Sequence, residues 1–121
     1  MHDNLIVSYR VNFFNKTIII NTVNETDGRE GKLEFHNVLT HSFGNVLDYN
    51  QILDVNEYGI DSFMKDNMVE LEKKKSYCWP IDYEDIQELK NYLRENNYKY
   101  IKIISSYGMC GWVLAEKFEI G

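Results

Sequence analysis

The 121-residue chain has one proline, two cysteines and no uninterrupted apolar run of membrane-spanning length. A helical span needs roughly 18 or more such residues, so a membrane-embedded protein is excluded as an expectation. One proline and seven glycines leave no linker-rich or low-complexity tract. Two cysteines, Cys78 and Cys110, are too few for a small secreted domain held together by disulfides. Reduced thiols in a cytoplasmic protein are expected instead. In MHDNLIVSYRVNF no basic stretch precedes a long apolar one, so no signal peptide is expected. Basic residues are also scarce, with 13 Lys and Arg against 19 Asp and Glu and a net charge of −6. Nucleic acid and anionic membrane surfaces both require a basic face, so neither is expected as a partner. A cationic protein fits the charge.

What the chain does hold is apolar and aromatic material. At 44% hydrophobic and 14% aromatic it is too rich in both to remain disordered. Its length suits a single domain, 1–121, and not two with proper cores.

Apolar periodicity then divides it. Residues 5–13 place Val7, Tyr9, Val11 and Phe13 in strand alternation, and residues 17–23 (TIIINTV) form a second, β-branched strand after a turn at Asn15-Lys16. Asp27-Gly28 marks a polar turn. Residues 32–43 read as a strand whose alternation slips near His36-Asn37, the signature of a bulge. The pieces VLDY and ILDV around Asn50-Gln51 suggest a further hairpin.

From Asn56 the period becomes helical, with Ile60, Phe63, Met64, Met68 and Leu71 on one face and a basic end at Lys73-Lys74-Lys75. Cys78-Trp79-Pro80 is a connector. A second helix begins at a cap assigned to Asp82, carries Ile86, Leu89, Tyr92 and Leu93, and stops at Asn96-Asn97. Residues 98–118 are a closing β-hairpin. The expected fold is α+β, an antiparallel sheet of about five or six strands with two helical segments packed on one face.

Candidates for chemistry are few. His36 and His41, five apart, point to opposite faces of a regular strand, whereas a bulge brings them to one face, with Asp48 as a further candidate; a metal needs three or four converging ligands, so no shared metal is expected. Cys110 lies between turn glycines in SSYGMCGW and lacks a cysteine-hydrolase signature. Ser105-Ser106-Tyr107-Gly108 is followed by neither a Walker lysine nor a helix. No cofactor is expected. Tyr9, Tyr98, Tyr100, Tyr107, Trp79 and Trp112 suit either a core or a recognition surface.

The acids form the clearest pattern. Residues 48–95 hold twelve acids and six bases, which accounts for the whole net charge, while the flanking segments balance. From Asp48 to Glu72 there are seven acids against Lys65 alone. Asp54, Glu57, Asp61, Asp66 and Glu70 are therefore the candidate partner-binding residues, a face that speeds association with a cationic protein and rejects others.

The stretches FHNVLTHSF, DVNEYGIDSF, CWP and YIKIISSYGMCGWVLA together resemble a group of small Firmicutes proteins similar in kind to the immunity proteins of polymorphic toxin systems. The resemblance covers roughly Tyr9 to Phe118 and carries no assigned functional residues. It implies a cytoplasmic, non-enzymatic inhibitor that docks an acidic face onto a cationic toxin. Two other classes are kept: a small enzyme or ligand-binding domain using His36, His41 and Cys110, and a homo-oligomeric structural or regulatory subunit paired through a sheet edge.

Overall fold

The computed structural model describes residues 2–121. The N-terminal meander is present as expected. Strands β1 (Asn4–Asn12), β2 (Thr17–Asn24) and β3 (Glu30–Gly44) run antiparallel in sequence order. Lys16 takes a left-handed φ of 55° in the first turn, and in the second the Gly28 N–H donates to the Asn24 carbonyl at 2.8 Å. β2 buries Ile18 and Ile20 completely, because β-branched side chains pack well on a pleated surface.

The phase of β1 differs from the expectation. An irregularity between Ile6 and Ser8 turns Val7 outward, 66% exposed. Ile6 and Val11 pack on the core, Tyr9 meets Phe43 edge-on at 5.5 Å, and Phe13 lies in the turn. The bulge anticipated in β3 is confirmed, with Asn37 at a positive φ of 54° and a register shift between Val38 and Thr40. The hairpin expected around Asn50-Gln51 is absent. Residues 45–50 are irregular and a single strand, β4 (Gln51–Tyr58), follows. Buried Asn50 organises that loop: its Oδ1 accepts from the Leu47 and Met109 amides at 3.0 and 2.7 Å, and its Nδ2 donates to the Leu47 carbonyl at 2.7 Å.

The first helical segment is broken in two, α1 (Ile60–Asp66) and α2 (Met68–Lys74), followed by a 3₁₀ turn over Lys75–Tyr77. The break falls at buried Asn67, whose side chain donates to the Phe63 carbonyl at 3.0 Å. α3 (Ile86–Glu95) starts three residues later than expected, with Asp85 and not Asp82 as its cap. The Asp85 carboxylate accepts from the Glu88 amide at 2.9 Å, and the Glu88 carboxylate accepts from the Glu84 amide at 3.1 Å. That reciprocal arrangement favours the later start, since a glutamate reaches back farther than Asp85 could from the same position. Asn97, at a φ of 59°, ends the helix as expected. The terminal hairpin comprises β5 (Lys99–Tyr107) and β6 (Cys110–Ile120).

The six strands form a closed antiparallel barrel in the order β1-β2-β3-β6-β5-β4, and not an open sheet. Closure is thin. β4 meets β1 at the Leu5–Gln51 pair, flanked by bonds from the Asp3 amide to the Ile52 carbonyl (2.8 Å) and from the Ile6 amide to the Asn50 carbonyl (2.9 Å). Inside lie Ile18, Ile20, Leu33, Phe35, Ile52, Ile101, Ile103, Met109, Val113 and Ala115. A second cluster packs the helices through Phe63, Met64, Leu71, Leu89 and Leu93 onto Tyr100, Leu114 and Trp112, on the outer side of β5 and β6. The α+β class holds; the sheet's inner face is covered by the sheet itself and the helices cover part of its outer face.

Close approach at Gly111 fixes how β6 crosses β3. A Cβ there would overlap the Ser42 carbonyl oxygen and lie 2.9 Å from the Phe43 Cα. Gly111→Ala is expected to destabilise the fold by about 3 kcal/mol or more. Gly44→Ala, at a position with nothing within 4 Å of the added atom, is expected to stay within about 0.5 kcal/mol. Urea unfolding of the two variants makes the comparison.

Candidate partner-binding face

The five candidate carboxylates are distributed over β4, α1 and α2, and the fold treats them differently. Asp61, in the first turn of α1, receives Lys90 at 2.7 Å and Arg94 at 2.8 Å from α3. Lys90 and Arg94 are four residues apart and so share one helix face, which lets one carboxylate tie α1 to α3. Asp66, the last residue of α1, accepts from the Tyr100 hydroxyl at 3.0 Å and from Lys102 at 3.3 Å. Glu70 pairs with Lys74 one turn on, at 3.2 Å. Asp54 accepts from the Val55 amide at 2.9 Å and the Asn56 side chain at 2.8 Å. Glu57 stands exposed on β4 opposite Ile101.

Three of the five are thus in intramolecular ion pairs, and only Asp54 and Glu57 present carboxylates without a basic partner among the described residues. Hydrogen bonding from Lys90 holds Asp61 below the ordinary carboxylate range, and Arg94 adds to this. Asp66 is likewise held down, by the Tyr100 hydroxyl first and Lys102 after it. These basic and phenolic partners were missed from sequence. Lys90 and Arg94 show only a shared helix face there, and Tyr100 and Lys102 only strand alternation.

Further acids line an open groove of about 690 Å³ along α3, where Asp82, Asp85, Glu88 and Glu95 surround Ile81 and Tyr92. Asp82 and Glu95 make no ion pair among the described residues. The acidic surface therefore extends past the five candidate residues to the later part of the 48–95 segment.

Most of the aromatics prove to be core. Tyr100 is 1% exposed and stacks edge-on against Phe63 at 5.4 Å, while the Trp79 indole N–H donates to the Thr40 hydroxyl at 3.0 Å. Trp112 is half-buried against Phe63. Tyr9 and Tyr107 keep substantial surface, and Phe13 and Phe14 in the first turn are 82% and 95% exposed.

His36, His41 and Cys110 are not brought together. The two histidines lie on opposite faces of the barrel wall, because the irregularity at Asn37 and the register shift between Val38 and Thr40 cancel. His36 shares the outer face with Glu34, at 3.6 Å. His41 pairs with inward Val113 and packs on Phe43 at 5.0 Å, and burial holds its imidazole below the ordinary histidine value. Cys110 lies at the far end of the same ladder, opposite Gly44, and its Sγ accepts from the Asn45 side chain at 3.6 Å. Eight positions of β3 between His36 and Gly44 amount to roughly 25 Å. Glu34, His36 and Glu119 do converge, with one ligand atom of each within 4.8 Å of the others.

Comparison with protein-family models finds no match, and comparison with curated proteins finds none.

Two pH limits follow. Asp61 and Asp66 are depressed in the folded state, so their contribution is intact above the ordinary value of about 4. It is lost as pH falls through the lower folded values. Urea midpoints are expected to drop below about pH 4, less steeply in Asp66→Asn. Burial pushes Tyr98 up to about 12; burial, and then Asp66, raise Tyr100 as well. Their contribution is intact below about pH 10 and is lost as pH rises toward the folded values. Burial also raises Tyr83, and ultraviolet titration should show Tyr98 and Tyr100 among the last of the nine tyrosines to ionise, together with unfolding.

Proposed function

We propose that the protein is a cytoplasmic, non-catalytic binding protein, an immunity-type inhibitor whose acidic face docks onto a cationic toxin domain. The observation that carries this reading is where the charge falls. The excess of twelve acids over six bases in residues 48–95 falls on β4, the loop before it and the helical layer, whereas the segments on either side balance at seven acids and seven bases. Clustered carboxylates of this kind raise the association rate with a positively charged surface and disfavour other partners.

Within that face the docking residues are Asp54, Glu57, Asp61, Asp66 and Glu70, and their roles differ. Asp54 and Glu57 offer their charge without breaking an internal ion pair. Asp61, Asp66 and Glu70 are already held by Lys90, Arg94, Lys102 and Lys74. They contribute field more than direct contacts, since a partner's cation has to compete with the resident one.

A homo-oligomeric reading draws on the barrel seam. Among the described residues β1 meets β4 only at the Leu5–Gln51 pair and the two backbone bonds beside it, which leaves the later part of both strands as edges able to accept another strand. Sedimentation that gives a monomer across concentrations removes it.

The inhibitor reading is tested first by whether a neighbouring gene encodes a cationic toxin domain, and then by binding of this protein to that domain. The double variant Asp54→Lys, Glu57→Lys is expected to slow association by about tenfold at low salt, and the difference is expected to shrink as salt rises. Unchanged affinity and unchanged salt dependence would falsify the acidic-face proposal.

A further inference from the structure

The β3–β6 ladder places Glu34 directly opposite Glu119, and His36 directly opposite Lys117. Glu34 and His36 are two residues apart and so share the outer face of the barrel. Like charges directly opposite on neighbouring strands are destabilising unless a cation lies between them. Two lysines supply that charge: Lys32 reaches Glu34 Oε1 at 2.8 Å and Lys117 reaches Glu119 Oε1 at 3.1 Å. Each ammonium engages one carboxylate oxygen. The other Glu34 oxygen turns to His36 Nε2, at 3.6 Å.

We propose that Glu34, His36 and Glu119 form a binding site for a divalent transition-metal ion of the zinc class. One donor atom of each lies within 4.8 Å of the other two. Ligands about 2.1 Å from a tetrahedral ion stand about 3.4 Å apart. Side-chain rotation of an ångström or so brings the three to that spacing, and Glu119 and His36 are exposed enough to make it. The positions themselves are set by one of the barrel's long ladders, which runs from Leu33–Ile120 to Gly44–Cys110. An imidazole with two carboxylates selects zinc-like ions over magnesium or calcium, which prefer all-oxygen shells. Three protein ligands leave a position open to water. Because Glu119 is two residues from Gly121, a bound ion would pin the end of β6 to β3.

The test is calorimetric titration of zinc chloride into the intact chain, with magnesium as control. One zinc per chain is expected, with binding weakened at least about tenfold in His36→Ala and in Glu119→Gln. Zinc should also raise the melting temperature of the parent and not of His36→Ala. His36→Ala is on an exposed face and is expected to fold, with Glu119→Gln as the independent check. Lys32→Met, which removes a competing ammonium, is expected to tighten binding. The proposal is overturned if no zinc binds at roughly millimolar concentration, or if His36→Ala and Glu119→Gln titrate like the parent. It is equally overturned if binding survives in both and disappears in His2→Ala, which places the ion on the His2–Asp3 pair at 2.9 Å.

Discussion

Strands β5 and β6 are buried on both faces, and the rest of the molecule is arranged to keep them so. Along β5 the side chains alternate between two apolar environments: Tyr100 packs outward under the helices, and Ile101 and Ile103 pack inward. Leu114 and Val113 divide in the same way on β6. A strand with apolar side chains on both sides cannot leave either face to water. The inner side is met by curling the sheet into a barrel, and the outer by laying three short helices across it. Neither layer is large enough to stand alone, so the hairpin is the shared wall through which each stabilises the other.

The electrostatics follow from the same wall. Helices laid over β5 and β6 bring Asp61 under α3 and Asp66 over Tyr100 and Lys102. Carboxylates that look like a surplus in one dimension become struts between elements in three. Exposed ion pairs contribute little each; here they join α1 to α3 and α1 to β5 beside the apolar contacts of Phe63, Met64, Leu89 and Leu93 with Tyr100. The charge that remains without an internal basic partner moves to β4 and to the groove along α3. On the proposed docking face, carboxylates held by internal ion pairs stand beside Asp54 and Glu57, which have no basic partner among the described residues.

Much of the local structure was legible. The meander, the β3 bulge at Asn37, the α3 stripe, its stop at Asn97 and the closing hairpin all rest on short-range rules of periodicity and turn chemistry. The errors have separate physical causes. Val7 left the face of Tyr9 because of a bulge in a strand that looks regular. The cap moved from Asp82 to Asp85 because Glu88 could answer it. The VLDY and ILDV pieces did not pair because Asn50 ties its loop to Met109, a residue 59 positions away.

The sequence by itself determined the class of fold, most element types and the acidic excess, since each depends on composition or on spacing within a dozen residues. Tertiary structure alone decided that the sheet closes, which acids are neutralised from within, and that Glu119 arrives opposite Glu34. Those outcomes depend on pairings between segments distant in the chain. Their register comes from packing both faces of one hairpin at once, and no local window contains that constraint.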